Sequence, residues 1–352
     1  MTAPDAVLIV GGGLLQVPLI REAQGLGLVP LVTDGNAHAP GLRLPGVQPF
    51  VLSTTDVAGH EELMRDLLRM CAVRGVCTAG ADVAPTVAAA AGVAGTPGIP
   101  LEIAERTHDK LAVRIALEQA ELCQYQPRWG RGTFFDDAFF VHPQIRDAIA
   151  QWGAVVLKPC RERASRGVIR LAGEEDIPHG YATISPYMKE CEPFVIEEQL
   201  VGTEQSIEGL FGNDGSLLWF NVVDRFFDYS SGVPIESGHV NPSALVPLMW
   251  EALQAMFVQV VEALGITWGP FKADIMVTDD GPKILEVTAR LSGGWDCQGT
   301  SPLTGRHPMR ALLQLACSLP VDAPLTLLRE HRYAACAAIL PSISGFVKAM
   351  PP

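Results

Sequence analysis

The sequence predicts an α/β chain: a doubly wound N-terminal domain over residues 1–106, an α+β domain over residues 107–320, and a C-terminal segment 321–352. Three observations carry this expectation. Residues 6–103 alternate apolar runs with amphipathic stretches, the rhythm of a parallel sheet wound with helices. From about residue 154, runs rich in Val, Ile, Leu and Phe follow one another with turn residues between them, as antiparallel strands do. Within that region GITWGPFKADIMVTDDGPKILEVTAR sets two apolar runs about an Asp279-Asp280-Gly281 turn, a strong hairpin signal.

Taken in order, AVLIV is a buried strand, Gly11-Gly12-Gly13 a tight turn, and LLQVPLIREAQGLG a helix ended by Gly27. VPLVTD is a second strand ending in Asp34, a third lies near residues 48–52, and a helix over 57–70 has Asp56 placed as its N-cap. GVCTAG and DVAPTVAAAAGV read as strand and small-residue helix. Thr107-His108-Asp109-Lys110 then leads into the helix LAVRIALEQAEL, and another helix covers 142–152. Strand AVVLKP ends in Lys158-Pro159, and the loop CRERASRG joins it to strand VIRL. FVIEEQL and the following EQSIEGLF are strands broken at Val201-Gly202, and SLLWFNVVDRFF continues the sheet. Residues 228–242, with Glu236 and His239 among Gly, Ser and Pro, read as a loop before a long amphipathic helix over 243–264. A helix over 307–318 and the strand YAACAAIL follow. The closing GFVKAMPP reads as the interior of a domain, as in a chain cut short.

Composition removes several classes of function. The 352 residues are 48% hydrophobic and 18% charged, an ordinary globular balance. A formal net charge of −13 with no Lys/Arg run argues against nucleic acid or an anionic membrane as partner. The 8 cysteines are scattered without a C-x-x-C pair, which suits reduced thiols of a cytoplasmic protein better than a disulfide frame or zinc site. The N-terminus has no signal-peptide pattern, and no apolar run reaches the ~18 residues a membrane span needs. A homodimer is compatible with the sequence.

The hairpin concentrates the chemistry. Folding about residues 279–281 brings Asp274 and Glu286 near each other across the strand pair. Two acids at adjacent strand positions repel unless a cation lies between them, and a hard divalent ion with oxygen ligands fills that place. Arg290 and the Ser292-Gly293-Gly294 turn follow, setting a guanidinium and backbone N–H groups beside the ion, which is the chemistry of a phosphate site. Loop 160–167, with Arg161, Arg163 and Arg166, can fold over phosphates as well. The Gly11-Gly12-Gly13 turn with Asp34 imitates a dinucleotide fingerprint, but Gln16 stands where G-x-G-x-x-G/A needs Gly or Ala. A nicotinamide oxidoreductase is therefore the weaker alternative.

The order of these motifs is Lys110 at a helix, Lys158 ending a strand before a Gly/Ser/Arg loop, E-E-Q-L, G-T-E, then D…E-V-T-A-R-L-S-G-G. It resembles the ATP-grasp superfamily of ligases over nearly the whole chain, most of all the carboxylate–amine ligases grouped with the L-amino acid ligases. The resemblance implies a pre-ATP-grasp domain followed by an ATP-grasp domain whose lid spans about 121–192. It implies that Lys110 and Lys158 bind the phosphates of ATP, that the backbone of residues 197–200 (Glu197, Glu198, Gln199, Leu200) reads adenine, and that Glu204 holds the ribose. Asp274 and Glu286 would bind Mg2+, Arg290 would neutralise the transferred phosphoryl, and loop 160–167 would be a lid. The substrates would be a small-molecule carboxylate and an amine, with Glu236 facing the ammonium and the N–H groups of Ser292, Gly293 and Gly294 facing the carboxylate. One departure stands out: the superfamily commonly has Asn at the position of Thr288, which puts a second magnesium in question. A carboxylase or carbamoyl-phosphate-synthase-like enzyme activating bicarbonate is the alternative within the superfamily, and a catalytically silent nucleotide-binding module is another.

Overall fold

The computed structural model of the chain describes residues 5–135, 143–163, 165–228, 235–292, 296–323, 325 and 334–337. The first sheet holds β1 (Asp5–Val10), β2 (Val29–Asp34), β3 (Gln48–Val51) and β4 (Ala72–Cys77), all parallel, in the order β3-β2-β1-β4. Strand side chains alternate between faces, and β1 shows what each face buries. Val7 and Ile9 join a core with Leu19 and Ile20 of α1 (Val17–Gly25). Ala6, Leu8 and Val10 join another with Met64 and Leu67 of α2 (Val57–Met70) and Ala90 and Ala91 of α3 (Ala84–Ala94). Helices thus cover both faces, as the alternating sequence pattern requires, and Asp56 caps α2 by accepting the Gly59 N–H at 2.9 Å. At the Gly11-Gly12-Gly13 turn, Gly12 N–H donates to Asp34 at 2.9 Å, while buried Gln16 donates from Nε2 to the Ala79 carbonyl at 2.5 Å. Gln16 folds back so closely that a Cβ at Gly13 would lie 3.0 Å from its Oε1. The space a dinucleotide turn needs is filled by this side chain.

Two helices, α4 (Leu101–Thr107) and α5 (Lys110–Gln119), lead out of the first sheet, with Asp109 accepting the Leu111 and Ala112 N–H groups at the start of α5. The second sheet is antiparallel. It contains β5 (Trp129–Thr133), β6 (Val155–Pro159), β7 (Ile169–Leu171) and β8 (Pro193–Glu198) in the order β5-β8-β6-β7. Its back is covered by α6 (Pro143–Trp152) and α7 (Ile177–Ile184), which meet β6 and β8 through Ile145, Leu157, Ile184 and Ile196. Helices α4 and α7 and strand β5 have no counterpart among the elements expected from sequence. Strand β5 reads WGRGT and looks like a turn, yet Gly132 is needed there because a Cβ would fall 2.1 Å from the Phe194 ring.

The third sheet is built from β9 (Thr203–Phe211), β10 (Leu217–Asp228), β11 (Ile235–Asn241), β12 (Gly269–Thr278), β13 (Gly281–Thr288) and β14 (Ala334–Ala337). Its order is β13-β12-β9-β10-β11-β14. Helix α8 (Val246–Leu264) buries Met256, Phe257 and Val260 against one face, where Phe257 lies 5.9 Å from Phe211 and 5.4 Å from Phe271 between ring centroids. Part of the expected 228–242 loop is strand β11. It pairs antiparallel with β10, whose long edge is otherwise open, and a register shift between Phe226 and Phe227 absorbs the irregularity. A single helical turn α9 (Ser301–Leu303) precedes α10 (Pro308–Ala316), which reaches back to the first sheet and shares its core with Val7 and Ile9. An isolated bridge pairs Ala79, just past β4, with Leu291, just past β13. Among the described residues, no helix is long and apolar enough to cross a membrane.

Two glycine substitutions separate packing from chain entropy. A Cβ at Gly75 would lie 2.4 Å from the Ala316 carbonyl oxygen, so Gly75→Ala is expected to cost about 1–3 kcal/mol by overpacking. Gly92, inside α3 with nothing within 4 Å of its Cβ position, is expected to gain about 0.5–1 kcal/mol as Ala. Urea unfolding of the two variants checks both signs.

Candidate active site

The hairpin β12–β13 forms as its sequence dictates, and its register places Asp274 opposite Glu286 and Lys272 opposite Thr288. On the other side, β9 sets Ser206 opposite Asp274 and Glu208 opposite Lys272. Cross-strand partners share a face, so these side chains form two polar rows on the face away from α8. The rows front a cavity of about 440 Å³ that Lys110, Lys158, Glu204, Arg225, Glu236 and Arg290 also line.

The cavity is held by ion pairs. Asp274 meets Arg225 Nη1 through Oδ2 at 3.0 Å and the Lys272 ammonium through Oδ1. Burial alone would raise its pKa, but Arg225 and Lys272 outweigh that and hold it well below the usual carboxylate range. Glu286 is less enclosed, with its side chain 39% exposed, and meets Lys110 at 3.1 Å. Lys110 also donates to the Glu162 carbonyl at 2.6 Å, linking α5 to the loop after β6. Glu204 meets Arg225 at 2.7 Å, yet burial, aided by the Asp274 and Glu236 carboxylates, pushes it up to about 7. Arg290 is half-buried and donates from Nε to Asp82 at 2.6 Å, an acid carried by the first domain's β4–α3 connection. The Ala79–Leu291 bridge fixes that meeting.

Behind the cavity lies a buried triad. Arg114 of α5 donates from Nε to Glu197 Oε1 at 2.9 Å, and Lys158 meets Glu197 Oε2 at 2.6 Å. Arg114 Nη2 also donates to the Ile284 and Leu285 carbonyls at 2.8 and 3.1 Å. Burial would push Glu197 up, and the two cations more than cancel it.

The structure brings Lys110, Lys158, Glu204, Glu236, Asp274, Glu286, Arg290 and Ser292 to one cavity. It changes several details. The Ser292 N–H is not available to a substrate carboxylate, because it donates to the buried Glu208 Oε2 at 3.0 Å. Gly293 and Gly294 lie outside the described residues. Glu197 faces inward to the triad and Glu198 outward to Arg128 at 2.6 Å. The N–H groups of Glu198 and Gln199 are spent on the Arg128 and Ala154 carbonyls. Glu198 and Leu200 line a separate groove of about 770 Å³ with Trp129 and Trp152. Of the expected backbone stretch, 198 and 199 have no free donor for adenine. Glu236 is on strand β11, not a loop, and its Oε1 takes both Arg225 Nε at 2.7 Å and His239 Nε2 at 2.5 Å. Sequence reasoning did not single out Lys272, Arg225, Asp82, Glu208 or Asp296. Only Lys272 had a usable signal: two residues before Asp274 on a strand, it must share that residue's face.

The residues fit one hard cation. Glu286 and Asp274 are hard oxygen donors in register, and the Thr288 hydroxyl beside them is buried with no hydrogen-bond partner among the described residues. Magnesium is typically held by one or two carboxylates and completed by phosphate oxygens and water. Among the described residues, no group of three or more His, Cys, Asp or Glu side chains could hold an ion alone. An ion here would therefore need its phosphate ligand.

Residues 153–298 match the family model of the ATP-grasp domain, and the chain has the fold of ATP-grasp ligases. A 47-residue stretch is 45% identical to dapdiamide A synthase of Enterobacter agglomerans, covering 13% of this chain and 11% of that protein. Phosphoribosylamine–glycine ligase of Methanococcus maripaludis is 24% identical over 306 residues, 81% of this chain and 67% of its own length. Among solved structures, an L-amino acid ligase from Bacillus licheniformis superposes with a TM-score of 0.70 at 21% identity, over 95% of this chain and 80% of its own. The chain thus spans about a tenth of the first curated relative and about two thirds of the second.

His239 gives the cavity a pH signature. It is 4% exposed between Glu236 and Asp296, whose Oδ1 lies 2.5 Å from Nδ1. Burial would lower its pKa, but hydrogen bonds to Asp296 and Glu236 raise it from 6.5 to about 9. A folded pKa above the unfolded one stabilises fully below pH 6.5 and loses that contribution as pH rises through 9. Unfolding free energy is expected to fall by on the order of 2–3 kcal/mol across that window. His239→Gln is expected to flatten the slope, as urea titrations at stepped pH would read.

Proposed function

We propose that the chain, through the ATP-grasp domain at residues 153–298, is an ATP-dependent carboxylate–amine ligase that forms an amide or peptide bond and releases ADP and phosphate. A carboxylate oxygen would attack the γ-phosphorus of ATP, the bond to the β–γ bridging oxygen would break, and ADP would leave. The amine nitrogen would then attack the acyl carbon, lose a proton and expel phosphate. The observation that carries this reading is the convergence of Lys110, Lys158, Lys272, Arg225 and Arg290 on one cavity whose acid pair is in strand register. Phosphoryl transfer asks a protein chiefly for such placed positive charge.

In this reading Lys110 and Lys158 bind phosphate oxygens and Glu204 the ribose. Arg290 exchanges Asp82 for the transferred phosphoryl and, with the Ser292 N–H already spent on Glu208, also orients the acyl oxygen. Glu286, Thr288 and Asp274 would hold magnesium, which when bound neutralises charge on the β- and γ-phosphates. Glu236 would receive the amine's ammonium, and Arg225 and His239 keep its carboxyl ionised, held down to about 2 against the effect of burial. Strands β5, β6 and β7 of the second sheet, in the proposed lid over 121–192, would cover the nucleotide and exclude water from the acyl-phosphate.

The test is chemical trapping. With ATP, a mixture of amino acids and hydroxylamine, the enzyme is expected to give hydroxamates, ADP and phosphate without bicarbonate. Glu286→Gln is expected to lower the rate about 100-fold or more while circular dichroism stays unchanged. Bicarbonate-dependent ADP release without hydroxamate would favour the carboxylase instead, and AMP with pyrophosphate would exclude both.

A further inference from the structure

Lys272 occupies an unusual place. It precedes Asp274 by two residues on β12 and so shares its face, with Thr288 opposite on β13 and Glu208 opposite on β9. Its side chain is only 11% exposed, and its ammonium rests on Asp274 Oδ1. The other Asp274 oxygen is taken by Arg225 at 3.0 Å. Asp274 therefore has both oxygens in ion pairs, whereas Glu286, its partner in register, stays 39% exposed with one oxygen on Lys110. On the far side of Lys272, Glu208 is fully buried and its Oε1 has no hydrogen-bond partner among the described residues. Asp82 and Glu204 also feel the Lys272 charge.

We infer that Lys272 is a resident cation in the place a second divalent ion would take, so that nucleotide binds this chain with a single metal ion. The inference rests on the ATP reading above and deepens it. A second ion bridging Asp274 and the Thr288 row would need the volume and the charge balance that Lys272 already holds, and two cations there would repel. The hydroxyl at 288 agrees: an ammonium opposite needs no amide oxygen from that position, and a hydroxyl leaves it room. One ion remains accommodated at the cavity edge, where Glu286 and Thr288, whose hydroxyl has no hydrogen-bond partner among the described residues, line one pocket and Asp274 stands opposite Glu286 in register. Lys272 differs from a metal ion in one consequence. Its charge stays with the protein when products leave, so the part of the cationic cradle that Lys272 supplies is independent of the metal concentration.

The experiment counts ions rather than turnover. Mn2+ bound in the presence of a non-hydrolysable ATP analogue is measured by electron paramagnetic resonance on the full chain. Wild type is expected to hold one Mn2+ per chain, and Lys272→Arg to stay at one. Lys272→Gln, which leaves Asp274 and Glu208 short of a counter-charge, is expected to take up two, with tighter uptake when Thr288→Asn is added. Two ions in the wild type would overturn the inference alone, whatever the variants do. One ion in both wild type and Lys272→Gln would overturn it as well, since Lys272 would not be what excludes the second. A wild type that takes no analogue at all would remove the ATP reading and the inference together.

Discussion

The Arg114–Glu197–Lys158 triad holds the site in place. A single buried carboxylate joins α5 through Arg114 and β6 through Lys158, and Arg114 extends the link to the carbonyls of β13 at Ile284 and Leu285. The second and third sheets, which flank the cavity, are thereby tied at a fixed separation. Such a network is stable only when complete. Removing one partner strands a buried charge, which costs about 3–5 kcal/mol, whereas the intact network is close to neutral against an apolar core. Lysine could not replace Arg114, because only a guanidinium reaches a carboxylate and two carbonyls from one planar fork.

The cavity itself is a store of positive charge balanced by the protein's own acids. Lys110 rests on Glu286, Arg225 on Glu204, Glu236 and Asp274, and Arg290 on Asp82. A chain of net charge −13 thus gathers several cations in one cavity, each held in position by acids of the protein's own, and in the proposed function a phosphate would compete for them. Asp82 is the most telling of these. It comes from the first sheet, and the Ala79–Leu291 bridge beside it shows why that sheet is needed to complete a site built mainly on the third.

How much of this was legible in the sequence depended on whether a signal was local. The hairpin, the Asp274–Glu286 pair and the capped helix at Asp56 follow from turn chemistry and period-two patterning, and the structure has all three. Gln16 was legible as an obstacle to a dinucleotide turn, though not as the donor that anchors Ala79. Strand β11 was not legible, because its polar, glycine-containing IESGHVN earns a strand only by pairing with the open edge of β10. Nor were Asp82, Arg225 and Glu208, each distant in sequence from the partners it meets. The loss of the Ser292 N–H to Glu208 is of the same kind: the turn was visible and its partner was not.

The central claim is that a carboxylate attacks ATP and its oxygen leaves with phosphate. The most direct measurement supplies a set of amino acids labelled with 18O in the carboxyl group, with ATP and Mg2+, and analyses the released phosphate by mass spectrometry. One 18O per phosphate, from the labelled acid and without bicarbonate, is the expected result. Phosphate carrying no label, or label arriving only from [18O]bicarbonate, would contradict it.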